Sequence, residues 1–257
     1  PAPCPAPAAC PAPAPCPAPA PAPCPEERAQ PSAFASQPSE ADVITCLRQP
    51  CRALVLGNAN YTGHALPPSV LRDAKAIAVA LERLGFTVRS LLDGRRKQMR
   101  TAAQTFCKKV EPGSVGLIYF AGHGRQVQGV NYLLPVDFPA EGATAKRKGG
   151  KSAESEVDGS AISVPWLLQA LAKRRAAVSV LVLDALEGLA PMVVPEGALV
   201  ATAAAPNATA GGATGGAYTA QLLAQLEGAV DLHIEQVFKR VRQQVARHTD
   251  RKQVPWE

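Results

Sequence analysis

One histidine of this chain stands between two glycines at the end of an apolar run: "GLIYF" leads into "AGHGR", which places His123 between Gly122 and Gly124. An imidazole titrates near neutrality and can take or give a proton at a reacting centre. Flanking glycines let the backbone turn sharply and carry the ring into an open crevice. Nothing visible in the sequence asks for glycine on both sides as a matter of packing, so His123 reads as an acid–base group and not as a core histidine. A second apolar run, "VSVLVLDALEGLAP" (178–191), ends on an acid, Asp184.

Those runs belong to a regular alternation. "RALVLGN" (52–58) is a short apolar stretch bounded by Gly and Asn, the mark of a strand buried on both faces. "SVLRDAKAIAVALERLGF" sets Val70, Ala74, Ile77, Leu81 and Leu84 at helical spacing and stops at Gly85. The strand "FTVRSLLD" and the helix "KQMRTAAQTFCKKV" follow, with Cys107 a small core residue. "SVGLIYFAG" (114–122) reads as a central strand and "RQVQGVNYLLPVD" (125–137) as a hairpin turning at Gly129. Then come the helix "VPWLLQALAKRR", the strands "AVSVLVLDA" and "GALVATAAA", and two closing helices, "AYTAQLLAQLE" and "LHIEQVFKRVRQQVARH". Alternation of this kind implies an α/β fold with a mainly parallel sheet covered on both faces. Sites in such sheets lie beyond the carboxyl ends of the strands, where "AGHGR" and "LVLDA" stand.

Ahead of this domain, residues 1–45 form a Pro/Ala-rich tail with Cys at 4, 10, 16 and 24. Proline fixes φ and removes the backbone donor, so the tail is expected to be an extended polyproline stalk without a core. Its cysteines lack the tight Cys-x-x-Cys spacing of a zinc knuckle, and Cys46, Cys51 and Cys107 show no pairing logic. The chain has 257 residues, 47% of them apolar, and a formal charge of +6. Its basic residues are dispersed over helix faces or gathered in "AKRKGGK" (145–151), a solvated loop, which argues against nucleic acid. No apolar run has membrane-spanning length and no signal sequence opens the chain, so a cytoplasmic location is favoured. The chain does not begin with Met, which leaves a processed or truncated start open.

"ALVLGNANY", "LRDAKAIAVALERLGFTVRSLLDG" and "GLIYFAGHGRQVQGVNYLLPVD", in that order and followed by the two closing helices, resemble the caspase-like cysteine peptidases in their metacaspase, paracaspase and bacterial orthocaspase branch. The resemblance runs from about Arg52 to Glu257 and implies a three-layer caspase-like domain over 46–257. A large-subunit-like part would reach about residue 190, and a small-subunit-like part would fill 191–257. A further short strand is implied beyond "VPWE", which would make the C-terminus truncated.

In that family a His after the third strand and a Cys after the fourth form a dyad, with backbone amides near both holding the oxyanion. His123 matches the general base and Gly124 an oxyanion amide. The usual Leu-Asp-Ala-Cys-Arg is Leu183-Asp184-Ala185-Leu186-Glu187 here, so Leu186 stands at the nucleophile position. A leucine side chain forms no acyl-enzyme. Ser179, inside a strand, and Thr202 and Thr209, on the next strand and loop, offer no replacement. The loop after the site is also short, running from "EGLAP" to "MVVPEGALV".

Asp73 and Asp184 match acids that line a pocket for Arg or Lys in metacaspases and paracaspases; taken singly, Asp73 would only solvate its helix and Asp184 satisfy loop amides. Three readings follow. The chain is a pseudopeptidase that binds basic peptide segments, as partner to an active relative and tethered by its tail; or an active endopeptidase cleaving after Arg or Lys; or a scaffold without a pocket ligand. No cofactor or metal is expected. The resemblance brings calcium activation with it, but no Asp-x-Asp-x-Asp-Gly loop is present, and "KSAESEVDGS" reads as a solvated insertion.

Overall fold

The structure is a computed structural model that describes residues 49–139, 153–208, 216–228 and 234–257. The Pro/Ala-rich tail, the basic loop at 145–151 and Thr209 lie outside these residues.

Five strands, β1 (Cys51–Gly57), β2 (Thr87–Leu92), β3 (Val115–Gly122), β7 (Val178–Ala185) and β8 (Ala198–Thr202), form one sheet in the order β2-β1-β3-β7-β8. Every pairing in it is parallel. The β3–β7 register sets Gly122 opposite Ala185, so the segments holding His123 and Leu186 leave the sheet side by side. From β1 the chain steps outward to β2 and then returns to β3 on the other flank. The order therefore reverses between β1 and β3, where a crevice opens at the carboxyl edge of such sheets.

Side chains of a strand alternate between faces, and here each face has its own core. Ala53, Val55, Leu117, Tyr119, Val180 and Val182 point to one side. There they meet α1 (Ser69–Arg83), α5 (Ala217–Glu227) and α6 (Ile234–His248). Leu54, Leu56, Ile118, Phe120, Leu181 and Leu183 point to the other, against α2 (Arg96–Lys109) and α4 (Val164–Ala172). Helix α6 buries Ile234, Val237, Phe238, Val241 and Val245, a single stripe at helical spacing. Each such side chain contributes about 1.5–3 kcal/mol when fully buried. On the α1 side the approach is close: a Cβ on Gly57 would lie 2.6 Å from the Ala74 Cβ.

A small antiparallel sheet, β4 (Gly124–Val127), β5 (Val130–Leu133) and β6 (Ile162–Ser163), adds a third cluster built on Tyr61, Tyr132 and Leu134. The expected hairpin is present. Gln128 and Gly129 both have positive φ, 50° and 81°, as a two-residue turn requires.

Two expectations need correction. The segment read as a solvated insertion contains helix α3 (Ala153–Ser160), whose Val157 is buried in the third cluster; an acid-rich octapeptide carries too weak an apolar pattern to announce a helix. Cys51, whose spacing shows no pairing logic, is disulfide-bonded, whereas Cys107 is a free, buried thiol. Among the described residues no helix is long and apolar enough to cross a membrane.

Candidate functional site

The loop after β1 forms the floor of the site. Asp93, at the end of β2, accepts the backbone N–H groups of Ala59 at 2.9 Å and Asn60 at 3.0 Å, and the Asn60 side-chain amide at 2.7 Å. Burial alone would raise this carboxyl, but those donors outweigh it and hold it below the ordinary value. The loop so fixed presents Tyr61. The Tyr61 hydroxyl accepts the His123 backbone N–H at 2.9 Å and donates to the Leu134 carbonyl at 3.2 Å. Its ring meets the His123 ring edge-on at 4.7 Å.

The glycines around His123 answer to packing as well as to turning, contrary to expectation. A Cβ on Gly122 would stand 2.5 Å from the Tyr61 hydroxyl, and one on Gly124 would stand 3.0 Å from both Ala185 Cβ and Leu189 Cδ2. Glycine is needed on both sides so that β3 and β4 can close around the phenol and the β7 segment.

The His123 side chain keeps 17% of its surface exposed. Its Nε2 lies 3.1 Å from the His64 carbonyl oxygen, and its Nδ1 lies 3.5 Å from Glu187 Oε1. Glu187, helped by the His64 carbonyl, raises the imidazole above its ordinary value despite burial. Leu186 lies beside this pair, its N–H directed to the Gly122 carbonyl at 3.4 Å. Gly124 is buried and pairs opposite Leu133. A cleft of about 170 Å³ opens here, lined by residues that include Tyr61, His64, His123, Arg125, Phe138 and Glu187.

The two acids form a second cluster, on the α1 and α5 side of the sheet. Asp184 Oδ2 accepts the Thr219 hydroxyl at 2.6 Å, and the Thr219 oxygen is 2.7 Å from the Tyr119 hydroxyl. Burial pushes Asp184 up to about 6 against the lowering effect of Thr219, and the charge of Asp73 adds to the rise. Asp73 is itself raised by burial, offset in part by Arg72. Its Oδ2 lies 3.3 Å from where a Cβ on Gly216 would be. Asp184 therefore bonds hydroxyls of its own layer and not the loop amides of the ordinary reading.

The residues singled out in the sequence thus gather in two places, His123 with Gly124 and Leu186, and Asp73 with Asp184. Ser179 is buried in β7, and the Thr202 hydroxyl donates to the Ala204 carbonyl at 2.7 Å. Glu187, Thr219, Tyr61 and Asp93 were not foreseen. Of these only Glu187 left a trace, as an acid where the resembling family carries an arginine. Among the described residues no group of three or more His, Cys, Asp or Glu could hold a metal ion.

Comparison with known proteins agrees with the fold. Residues 50–257 match the family model described as caspase domain. The human protein "Mucosa-associated lymphoid tissue lymphoma translocation protein 1" is 39% identical over 87 residues, which are 34% of this chain and 11% of that protein. Its mouse homologue is 37% identical over 87 residues, 34% of this chain and 10% of that protein. The chain thus spans about a tenth of the length of these curated relatives. Among solved structures, the Drosophila initiator caspase Dronc superposes with a TM-score of 0.53 at 14% identity, covering 76% of this chain and 72% of that one. With the family match running through both strand ends that carry the site, the chain belongs to the caspase domain family.

Proposed function

We propose that this chain is a caspase-fold pseudopeptidase whose acidic pocket binds Arg- or Lys-containing peptide segments and releases them uncut. The observation that carries this reading is the Asp73–Asp184 pair. Two neighbouring carboxylates are partly buried, their burial opposes ionisation, and the donors on Asp184 are neutral hydroxyls. Such a pair gains most from a cation with two or more donors, and a guanidinium offers a planar fork of them. At the nucleophile position Leu186 has neither a lone pair nor an ionisable proton. Loss of a covalent nucleophile costs several orders of magnitude in rate. A segment seated at the pocket would meet no attacking atom. The chain would then serve as a binding or regulatory module, partnering basic segments or an active relative, with the Pro/Ala-rich tail as tether.

The test is a fluorescent peptide with one Arg or Lys, followed by anisotropy and by mass spectrometry. Binding without new termini is expected, weakened by about 30-fold or more in Asp73→Asn and Asp184→Asn, since truncating one partner of a buried charge pair costs several kcal/mol. Cleavage by the unaltered chain would establish the endopeptidase reading instead. Binding indifferent to both acids, or absent, would leave the domain a scaffold.

A further inference from the structure

The groups beside the two His123 ring nitrogens are both acceptors, the His64 carbonyl and the Glu187 carboxylate. Neutral imidazole has one N–H and one lone pair, so it can satisfy one acceptor at a time. With the proton on Nε2, directed at the His64 carbonyl 3.1 Å away, the Nδ1 lone pair would face a carboxylate; with the proton on Nδ1, the Nε2 lone pair would face the carbonyl. Nδ1 is sealed from solvent and makes no hydrogen bond, so no water competes there with Glu187, its ion-pair partner at 3.5 Å. Only the imidazolium form presents an N–H to both sides.

Glu187 is also held in place. Two residues on, Leu189 is buried and its carbonyl accepts the Asn207 N–H at 2.8 Å. The Ala190 N–H and carbonyl are both taken by the buried Asn131 side chain, at 2.8 and 2.9 Å. Gly188 lies so close to Asn207 that an added Cβ would be 3.0 Å from the Asn207 carbonyl carbon. The segment is pinned to β5 on one side and to the 207 turn on the other, so the backbone that carries Glu187 is fixed beside His123.

We propose that Glu187 is a positioning residue that holds His123 as a cation, making the site a closed ion pair and not an acid–base couple. Glu187 supplies the negative partner; Arg125 and His64 line the same cleft, and the Tyr61 ring makes a T-shaped contact with the imidazole. His123 then has no lone pair with which to accept a proton. Covalent catalysis at this site is then blocked twice, by the missing nucleophile at Leu186 and by the proton that Glu187 holds on His123. The inference stands on the geometry around the ring and does not rest on peptide binding at Asp73 and Asp184.

The test is nitrogen and carbon NMR of the imidazole rings in the full chain, with His123 assigned by its disappearance in His123→Gln. In the unaltered protein both His123 ring nitrogens should carry imidazolium shifts at pH values where an ordinary histidine has turned neutral. In Glu187→Gln the His123 midpoint should fall and a single neutral tautomer appear near neutrality. Glu187→Asp keeps the charge on a shorter arm and should fall between the two. A His123 midpoint that is the same in all three proteins, or a neutral ring in the unaltered chain at neutral pH, would overturn the proposal.

Discussion

The Thr219 hydroxyl donates to Asp184 at 2.6 Å and joins the first turn of α5 to the end of β7. A hydroxyl has one proton, so while Thr219 serves Asp184 the phenol proton of Tyr119 is shared between the threonine oxygen at 2.7 Å and Asp184 Oδ2 at 3.5 Å. Thr219→Val keeps the shape and removes both bonds. It should cost about 1–3 kcal/mol, because a buried phenol and a carboxyl then each lose a partner. The check is a lower urea midpoint at unchanged slope. An unmoved midpoint would mean that the hydroxyl is replaceable.

Asp184 makes stability fall as pH rises. Its carboxyl is raised from 3.8 to about 6, so between those values the folded chain binds more protons than the unfolded one. The contribution is full below 3.8 and gone above about 6, and on the order of 3 kcal/mol is at stake. Unfolding free energies across this window should show that slope in the unaltered chain and lose it in Asp184→Asn. Affinity for a basic peptide should move oppositely, tightening as pH rises through about 6, where the carboxylate forms.

Gly122→Ala should destabilise the fold by about 1–3 kcal/mol, the usual cost of overpacking. Its methyl would arrive 2.5 Å from the Tyr61 hydroxyl at a φ of 157°. The phenol that accepts the His123 N–H would have to leave. A lower melting temperature, with lost amide-exchange protection at His123, is the expected pair of readings. Loss of stability with protection intact would place the strain elsewhere.

Much of the architecture could be read from the chain because each strand and helix carries its own local pattern: the apolar runs of β1, β3 and β7, the α1 stripe ending before Gly85, and the turn at Gly129. Helix α3 escaped because its eight residues bury too little to impose a period. The site was legible only where chemistry is announced by residue type and setting, as at His123 and Asp184. Thr219 lies 35 residues from Asp184 and Tyr61 lies 62 from His123, so their roles come from the folded chain and leave no local mark. Glu187 is next to Leu186, yet what it touches is a histidine brought near by the β3–β7 register.

The two clusters sit on separate foundations. Asp73, Thr219 and Tyr119 belong to the α1 and α5 layer, whereas His123 and Glu187 sit on strand-end loops braced by Tyr61 and Asn131. Selection can act on them independently. On the proposed reading, replacements at 186 and 187 would extinguish one chemistry without disturbing a helix, and Asp73 and Asp184 would answer to a separate constraint. On that reading, a lineage built this way would lose a reaction at two loop positions while the layer that carries Asp73 and Asp184 stayed as it was.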